Sequence, residues 1–367
     1  MQALILAGGE GTRLRPLTST IPKPVVPLAN RPHLAFMTEW LRRHGVDDVI
    51  LSCGFMAEGV RRVLGDGEAF GVRIQYVEEP EPLGTGGALR YAGDRLDERF
   101  LMLNGDVLSD FDLSAQLAAH ERSGAMATIA LYPVEDPSMY GLVRLNQDGS
   151  VREFLEKPRP EESDSNLINA GAYVLERSLL DDMAPPGTNI SIERDVFPRL
   201  VNRGLYGFIG EGYWLDIGTP ERYLQATFDI LEGNVRTELG AALEDGRRVL
   251  ADGAAVAGRL IAPALLGEGT SVARTAIVGG CVALGPGVEV GEASHIERSV
   301  VLEGTRIGAH SRVNFSIVGP RVIIGDHCQL DAGVVLGEGV ELGAGNVLRA
   351  GARLAPGVRL GDGAIRH

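Results

Sequence analysis

Two periodicities divide this chain. Up to about residue 232, short apolar runs alternate with stretches of helical spacing; beyond about 252, apolar residues recur every six positions. In the first part, Ala3 to Ala7 is an apolar run that stops at glycine, which predicts a buried strand. Leu34, Met37 and Leu41 fall on one helical face, and Gly45 is a helix stop. Val49-Ile50-Leu51, Val72 to Val77 and Leu101-Met102-Leu103 read as further strands. Strand and helix patterns in alternation predict a Rossmann-like α/β domain with a mainly parallel sheet covered on both faces. Open parallel sheets bind ligands beyond the carboxyl ends of their strands. Two such ends stand out, at Gly8-Gly9-Glu10-Gly11 and at Asn104-Gly105-Asp106.

The second part has a different logic. Leu260, Leu266, Val272, Val278, Leu284, Val290, Ile296 and Leu302 step by six, and Ile324, Leu330, Leu336, Leu342, Leu348, Leu354 and Leu360 resume the step. Glycine often follows the apolar residue, as at Gly267, Gly285 and Gly325. A six-residue step with small residues at the corners predicts a β-helix. Residues between Ile307 and Gly319 fall outside both series and are expected to form a loop or irregular coil. The expected domains are 1–232, a linker at 233–252 where the pattern is lost among charges and glycines, and the coil at 253–367. The flat faces and open ends of a β-helix suit neighbouring subunits, so a homo-oligomer formed through the coil is expected.

Composition narrows the classes. The chain has 367 residues, 44% of them apolar, which fits two globular domains. Its formal charge of −14 argues against a nucleic-acid or membrane-surface binder but not against a phosphate ligand beside a local basic cluster. Cys53, Cys281 and Cys328 lack Cys-x-x-Cys spacing and fit buried thiols in a reducing cytoplasm better than disulfides or zinc. No apolar run is long enough to span a bilayer, and no basic region precedes the first strand as a secretion signal requires.

The chemistry concentrates at residues 6–24. Three glycines in four positions let the backbone turn tightly and bring N–H groups to an anion. Arg13 and Lys23 add a forked and a compact positive charge, a combination suited to polyphosphate. A Walker loop is excluded, because no Gly-Lys is followed by Ser or Thr. A dinucleotide fingerprint is excluded by Leu14 at the third glycine position. With Thr12-Arg13-Leu14, Pro16-Leu17-Thr18 and Pro22-Lys23-Pro24 attached, the stretch closely resembles the sugar-1-phosphate nucleotidyltransferases, or nucleotide-sugar pyrophosphorylases. Later motifs extend the resemblance over essentially the whole chain. Among the branches it is most like the bacterial mannose-1-phosphate guanylyltransferases.

The resemblance implies a nucleotidyltransferase domain followed by a left-handed β-helix of hexapeptide repeats, and it assigns roles. Leu6, Ala7, Gly8, Gly9, Glu10, Gly11, Thr12, Arg13 and Lys23 would hold the nucleotide and its phosphates, with Glu79, Gly84 and Thr85 in the base-reading loop. Arg13, Lys23 and Asp106 would be catalytic. Asp106, and Asp216 in Trp214-Leu215-Asp216-Ile217-Gly218-Thr219-Pro220, would bind one Mg²⁺, which accepts few carboxylates plus phosphate oxygens and water. Tyr140, Gly141, Glu156, Lys157 and Asn169 would bind the sugar 1-phosphate. Taken alone, Asp106 also reads as a turn aspartate, Asp216 as a residue before a helix capped by Thr219, and Glu156-Lys157-Pro158 as a solvated surface pair.

The implied reaction joins a nucleoside triphosphate, GTP favoured, to a sugar 1-phosphate and releases pyrophosphate. Guanine presents two donors on one edge, which suits an acceptor-only carboxylate such as Glu79 or Glu81 where thymidylyl- and uridylyltransferases commonly carry glutamine. Equally, both acids read as solvated loop residues, with Gly84 and Thr85 reading the base through backbone. Thr188-Asn189-Ile190-Ser191-Ile192-Glu193 and Gly361-Asp362-Gly363-Ala364-Ile365-Arg366 resemble the guanylyltransferase branch, although Asn189 or Ser191 also reads as a helix cap. Rival readings are a glucose-1-phosphate thymidylyl- or uridylyltransferase, a silent nucleotide-sugar-binding relative, and an enzyme whose coil is an acyltransferase using His295, His310, His327 or His367.

Overall fold

The computed structural model describes residues 1–157, 165–243, 246–331, 333–349 and 351–366. Pro158 and His367, singled out above, lie outside the described residues. Packing divides the chain into two units, one of residues 1–9 with 37–214 and one of 10–36 with 215–367.

The first unit is built on a nine-stranded sheet. In chain order its main elements are β1 (Gln2–Leu6), α1 (His33–Arg43, which begins in the other unit), β2 (Asp48–Cys53), α2 (Ala57–Leu64), β3 (Arg73–Glu78), α3 (Gly84–Ala92), β4 (Arg99–Asn104) and α4 (Leu113–Ser123). There follow β5 (Ala127–Pro133), β6 (Gly141–Leu145), β7 (Val151–Glu156), β8 (Leu167–Glu176) and β9 (Leu205–Ile209). β3, β2, β1 and β4 lie side by side and parallel. Their apolar runs suit strands buried on both faces, and Leu4, Ile50 and Met102 are fully buried. β8 then pairs antiparallel with β4 and β5, so the sheet is parallel at its core and mixed beyond it. Phe197 closes this core, with its ring 5.3 Å from Tyr173 and 5.5 Å from Phe154.

The second unit holds a parallel β-helix. Its two- and three-residue strands stack into three sheets, consistent with the left-handed coil of hexapeptide repeats. The stretch between Ile307 and Gly319 corrects one expectation, because it is not a loop. Arg306–Ile307, Arg312–Asn314 and Ile317–Val318 are strands in register with the coils on either side. The frame slips because the inward step is five residues, not six, from Ile296 to Val301 and from Val313 to Val318. Val301, rather than Leu302, therefore packs into the coil interior. The stretch read as a linker, 233–252, holds a short helix, Glu238–Ala242, capped by Thr237, and the first coil strand, Arg248–Leu250. That strand pairs in parallel register with Ala264–Leu266.

One coil face differs from the others. Leu265, Ala283, Val300, Ile317 and Val335 alternate with inward residues and so point outward, yet all are buried. On the other faces the outward positions include exposed Glu289, Arg306, Arg312 and Arg359. Within this unit, α5 (Pro220–Glu232) reaches the coil through Phe228, whose ring lies 6.1 Å from Phe315 and beneath Arg298. The Cys281 thiol donates to Glu232 Oε1 at 3.1 Å, and Asn30 Nδ2 donates to the Leu284 carbonyl at 2.6 Å. His310 and His327, two candidates for an acyltransferase base, stack at 4.8 Å with left-handed φ of 57° each, as corner residues do. His295 is a half-exposed strand residue 4.0 Å from Glu297. Among the described residues no helix is long and apolar enough to cross a membrane.

All three cysteines are free and buried. Burial, with Glu78 nearby, pushes the Cys53 thiol up to about 12; burial and the bond to Glu232 push Cys281 up to about 12; burial raises Cys328. Since the thiolate is the reactive form, the native protein should give almost no fast reaction with an aromatic disulfide reagent at pH 8. The same titration in denaturant should count all three thiols. Rapid labelling of any cysteine in the native state would contradict this burial.

Candidate active site

The candidate residues fall into clusters on each unit. On the first, β1 ends between two neighbours that hold the chain beyond it. The Ala7 amide donates to the Ser52 carbonyl at 2.8 Å, and the Gly105 amide to the Leu6 carbonyl at 2.9 Å. This places half-buried Asp106 one residue from the end of β1. A Cβ on Gly105 would meet the Leu6 carbonyl oxygen at 2.5 Å, so only glycine allows the approach. Gly8 lies beside Glu79, whose Oε1 would be 3.2 Å from a Cβ at Gly8.

Glu79 is tied into the fold rather than left in solvent. Its Oε1 accepts from Ser52 Oγ at 2.9 Å and its Oε2 from the Leu83 amide at 3.2 Å, which fastens the base-loop candidate to the end of β2. Each oxygen retains a second lone-pair direction. Glu81 is exposed. The Gly84-Thr85 segment opens α3 and packs on the Thr188–Glu193 motif, so two stretches read separately in the sequence form one structure. The Gly86 and Gly87 amides share the Ile190 carbonyl at 2.9 and 3.1 Å. Thr85 Oγ1 donates to Glu193 Oε2 at 2.7 Å and accepts from the Ile192 amide at 2.9 Å. Ser191 caps the short helical turn that follows, accepting from the Arg194 amide at 3.3 Å, while Asn189 Nδ2 reaches the Pro82 carbonyl at 2.8 Å.

The sugar-binding candidates converge on the same unit. The Lys157 amide donates to the Tyr140 carbonyl at 3.2 Å, and Lys157 has a φ of 53°. A Cβ on Gly141 would sit 3.0 Å from Glu156 Oε2. Tyr140 packs edge-on against Trp214 at 5.4 Å, and the Trp214 indole N–H donates to the Ala170 carbonyl at 2.8 Å. Asn169 Nδ2 donates to the hydroxyl of buried Tyr173 at 2.9 Å, and its Oδ1 accepts from the Gly171 amide at 3.0 Å. Glu156 is raised above the ordinary carboxylate range by desolvation and then by the charge of Glu193, against the pull of Lys157 and Arg194.

On the second unit the centre is Asp216. Its Oδ1 accepts from the Gly218 amide at 2.7 Å and its Oδ2 from Arg222 Nη1 at 2.9 Å, with Arg13 Nη2 at 4.0 Å. Asp216 is 13% exposed and Arg13 56%. A mostly buried carboxylate is costly without such partners. Thr219 caps α5 and Pro220 opens it, as the sequence predicts. A Cβ on Gly218 would fall 2.5 Å from Arg13 Nη2, so this glycine makes room for the guanidinium. Arg13 stands in the short turn Thr12–Leu14, after Gly11 with φ 64°. Thr18 Oγ1 donates to the Gly11 carbonyl at 2.7 Å, and Gly11 lies against the Lys23 side chain, which begins the turn Lys23–Val25. Glu10 binds Arg15 at 2.8 Å.

Arg222 and Ser52 are partners that motif reading missed, while Glu193 lay in the Thr188–Glu193 motif without an assigned role. Arg222 carries a signal in retrospect: a cation in the first turn of a helix opposes the helix dipole and calls for a carboxylate in front of it. Among the described residues no three His, Cys, Asp or Glu side chains converge to hold a metal ion. Asp106 and Asp216 supply hard oxygen donors, whose chemistry suits a divalent cation completed by phosphate oxygens and water.

Comparisons with known proteins agree with these features. Residues 2–233 match the family described as Nucleotidyl transferase, and residues 260–358 match the GMPPB C-terminal domain. A mannose-1-phosphate guanylyltransferase of Mycobacterium tuberculosis is 37% identical over 84% of this chain and 82% of its own length. Mannose-1-phosphate guanylyltransferase 1 of Arabidopsis thaliana is 36% identical over 92% of this chain and 91% of its own. Among solved structures, HddC from Yersinia pseudotuberculosis complexed with GMP-PN has a TM-score of 0.53 at 31% identity, covering 62% of this chain and 97% of that one.

The strand-end geometry and the Glu156 environment each yield a test. Gly105→Ala should cost about 1–3 kcal/mol, because backbone must move to admit the methyl group; a denaturant melt superimposable on the wild type would show that the end of β1 yields freely. Glu193→Gln should lower the Glu156 pKa, read from side-chain carboxyl NMR. An unchanged Glu156 titration would remove Glu193 as a source of the upward shift.

Proposed function

This chain belongs to the nucleotidyl transferase family, and on that premise we propose that it joins GTP to mannose 1-phosphate, forming GDP-mannose and releasing pyrophosphate. The observation that carries the reading is the presence of Arg13, Lys23, Asp106 and Asp216 in a chain so similar, over most of its length, to two mannose-1-phosphate guanylyltransferases. An oxygen of the sugar phosphate attacks the α-phosphorus of the nucleotide. The bond from that phosphorus to the α,β-bridging oxygen breaks in line, and that oxygen leaves with the β- and γ-phosphates as pyrophosphate. A phosphate monoester is already nucleophilic near neutral pH, so no side-chain nucleophile is needed. The protein must position two anions that repel each other and stabilise the charge on the leaving group.

Each residue then has a defined task. The backbone of Leu6 to Thr12 carries the nucleotide and its phosphates. Arg13 stabilises the departing pyrophosphate, and Lys23 contacts the phosphates near the reacting phosphorus. Lys157 anchors the sugar phosphate, and Glu156 accepts from sugar hydroxyls with Tyr140, Gly141 and Asn169 around the ring. Asp106 and Asp216 would hold a Mg²⁺ ion, which supplies charge neutralisation between the phosphates when bound. The bound state of Glu79, fixed by Ser52 and Leu83, favours a fixed acceptor for the guanine edge, with Gly84 and Thr85 shaping the same loop. We include in this reading a cytoplasmic location and self-association through the coil, for which exposed Ile261 and Ile323 offer apolar surface.

The test is pyrophosphate release from the purified protein with Mg²⁺, each of GTP, dTTP, UTP, ATP and CTP, and mannose 1-phosphate or glucose 1-phosphate. GTP with mannose 1-phosphate should dominate by at least about tenfold, roughly the worth of one lost polar contact. Dominant turnover with dTTP or UTP would overturn the base assignment, and absence of turnover with every pair would overturn the enzymatic reading.

A further inference from the structure

The outward row on the covered coil face ends in a charge. Leu265, Ala283, Val300, Ile317 and Val335 are apolar, and the next position in register is Arg353. Arg353 does not turn to solvent alone. Its Nη1 donates to the Arg13 carbonyl at 3.1 Å and to the Arg15 carbonyl at 3.1 Å, across some 340 residues of sequence. The first carbonyl belongs to the turn that presents the Arg13 side chain, and the second follows that turn directly.

The turn is also anchored by the fully buried Leu14 side chain and by short-range backbone bonds. The Leu14 amide bonds to the Gly11 carbonyl at 2.9 Å and the Arg15 amide to the Thr12 carbonyl at 3.2 Å. Thr18 fixes its entrance through the Gly11 carbonyl. At its exit the two N–H groups of one guanidinium nitrogen take one carbonyl each, and bonds with an ionised donor are among the stronger ones. Two carbonyls two residues apart, drawn to one nitrogen, set the direction of the backbone between them. That direction determines where the Arg13 guanidinium is delivered.

We propose that Arg353 is a positioning residue for the reaction, acting from the coil through the backbone of the Arg13 turn. The inference rests on the role given to Arg13 under the proposed function. Arg353 itself needs no contact with substrate. Its side chain is exposed, so its bonds contribute little to global stability, and their loss should appear in turnover rather than in folding.

Four variants of the full-length protein test this. Arg353→Ala should lower kcat roughly 10- to 100-fold, as small misplacements of a reacting group do, with KM values for both substrates within about threefold and an unchanged thermal midpoint. Arg353→Lys should recover part of the loss, because an ammonium can still reach two carbonyls. Arg13→Ala should be slow by itself, and adding Arg353→Ala to it should cost nothing further. Arg359→Ala, which breaks the bond to Glu341 on another face, should leave kcat unchanged. Wild-type turnover in Arg353→Ala would overturn the inference, and so would an equal loss in the Arg13→Ala background, since that would mark a merely structural role. Near-normal turnover in Arg13→Ala alone would instead overturn the role of Arg13, on which the inference stands.

Discussion

A carboxylate held beside two guanidinium groups is the interaction that organises the candidate residues of the second unit. Asp216 is largely withdrawn from water, and Gly218 and Arg222 bond to it while Arg13 stands nearby. The three partners are not equivalent. The Gly218 amide is part of the local turn, and Arg222 is anchored in the first turn of α5. Arg13 is farther away and more than half exposed.

The first unit solves a different problem with backbone rather than charge. The end of β1 is flanked by β2 and β4 in the middle of a sheet. Glycine at 105 lets the chain after β4 bond directly to the Leu6 carbonyl, so Asp106 arrives without a side chain blocking the way. Glu79 braces the opposite flank by joining the end of β2 to the start of α3. The same economy recurs at α3, where glycine amides share one carbonyl of the Thr188–Glu193 segment and Thr85 completes the join. Glu193 thus joins two sets of candidate residues, through its bond to Thr85 and through its charge beside Glu156.

Features written as local pattern were legible in the sequence. The first strand, the glycine loop, the helix capped by Thr219 and the six-residue step all follow from neighbours a few positions apart, and each is present. The family was legible for the same reason, since its motifs are short and contiguous. What escaped depends on distance or on a shift of frame. Arg222 is six residues from Asp216, a separation that no motif records. Thr85 and Glu193 meet only after a hundred residues have been folded away. The coil between Ile307 and Gly319 looked irregular because a fixed step of six was counted through two steps of five, although the buried valines there are as regular as elsewhere. The covered coil face was legible in principle, as an apolar outward row where its sister faces carry charges, but only once the inward row was known.

The two shortened steps lie at the same corner, where the chain passes from the face of Ile296 and Val313 to that of Val301 and Val318. A residue lost there changes the length of the chain without turning any later side chain inside out. Height along the coil is consequently counted in turns, not in residues. Successive turns are about 4.8 Å apart, so one added or deleted turn would carry Arg353 out of hydrogen-bonding range of the Arg13 turn, whereas trimming that corner would not. The β-helix acts as a ruler: its graduation is the single turn, and its reading is the rung at which an arginine meets the loop.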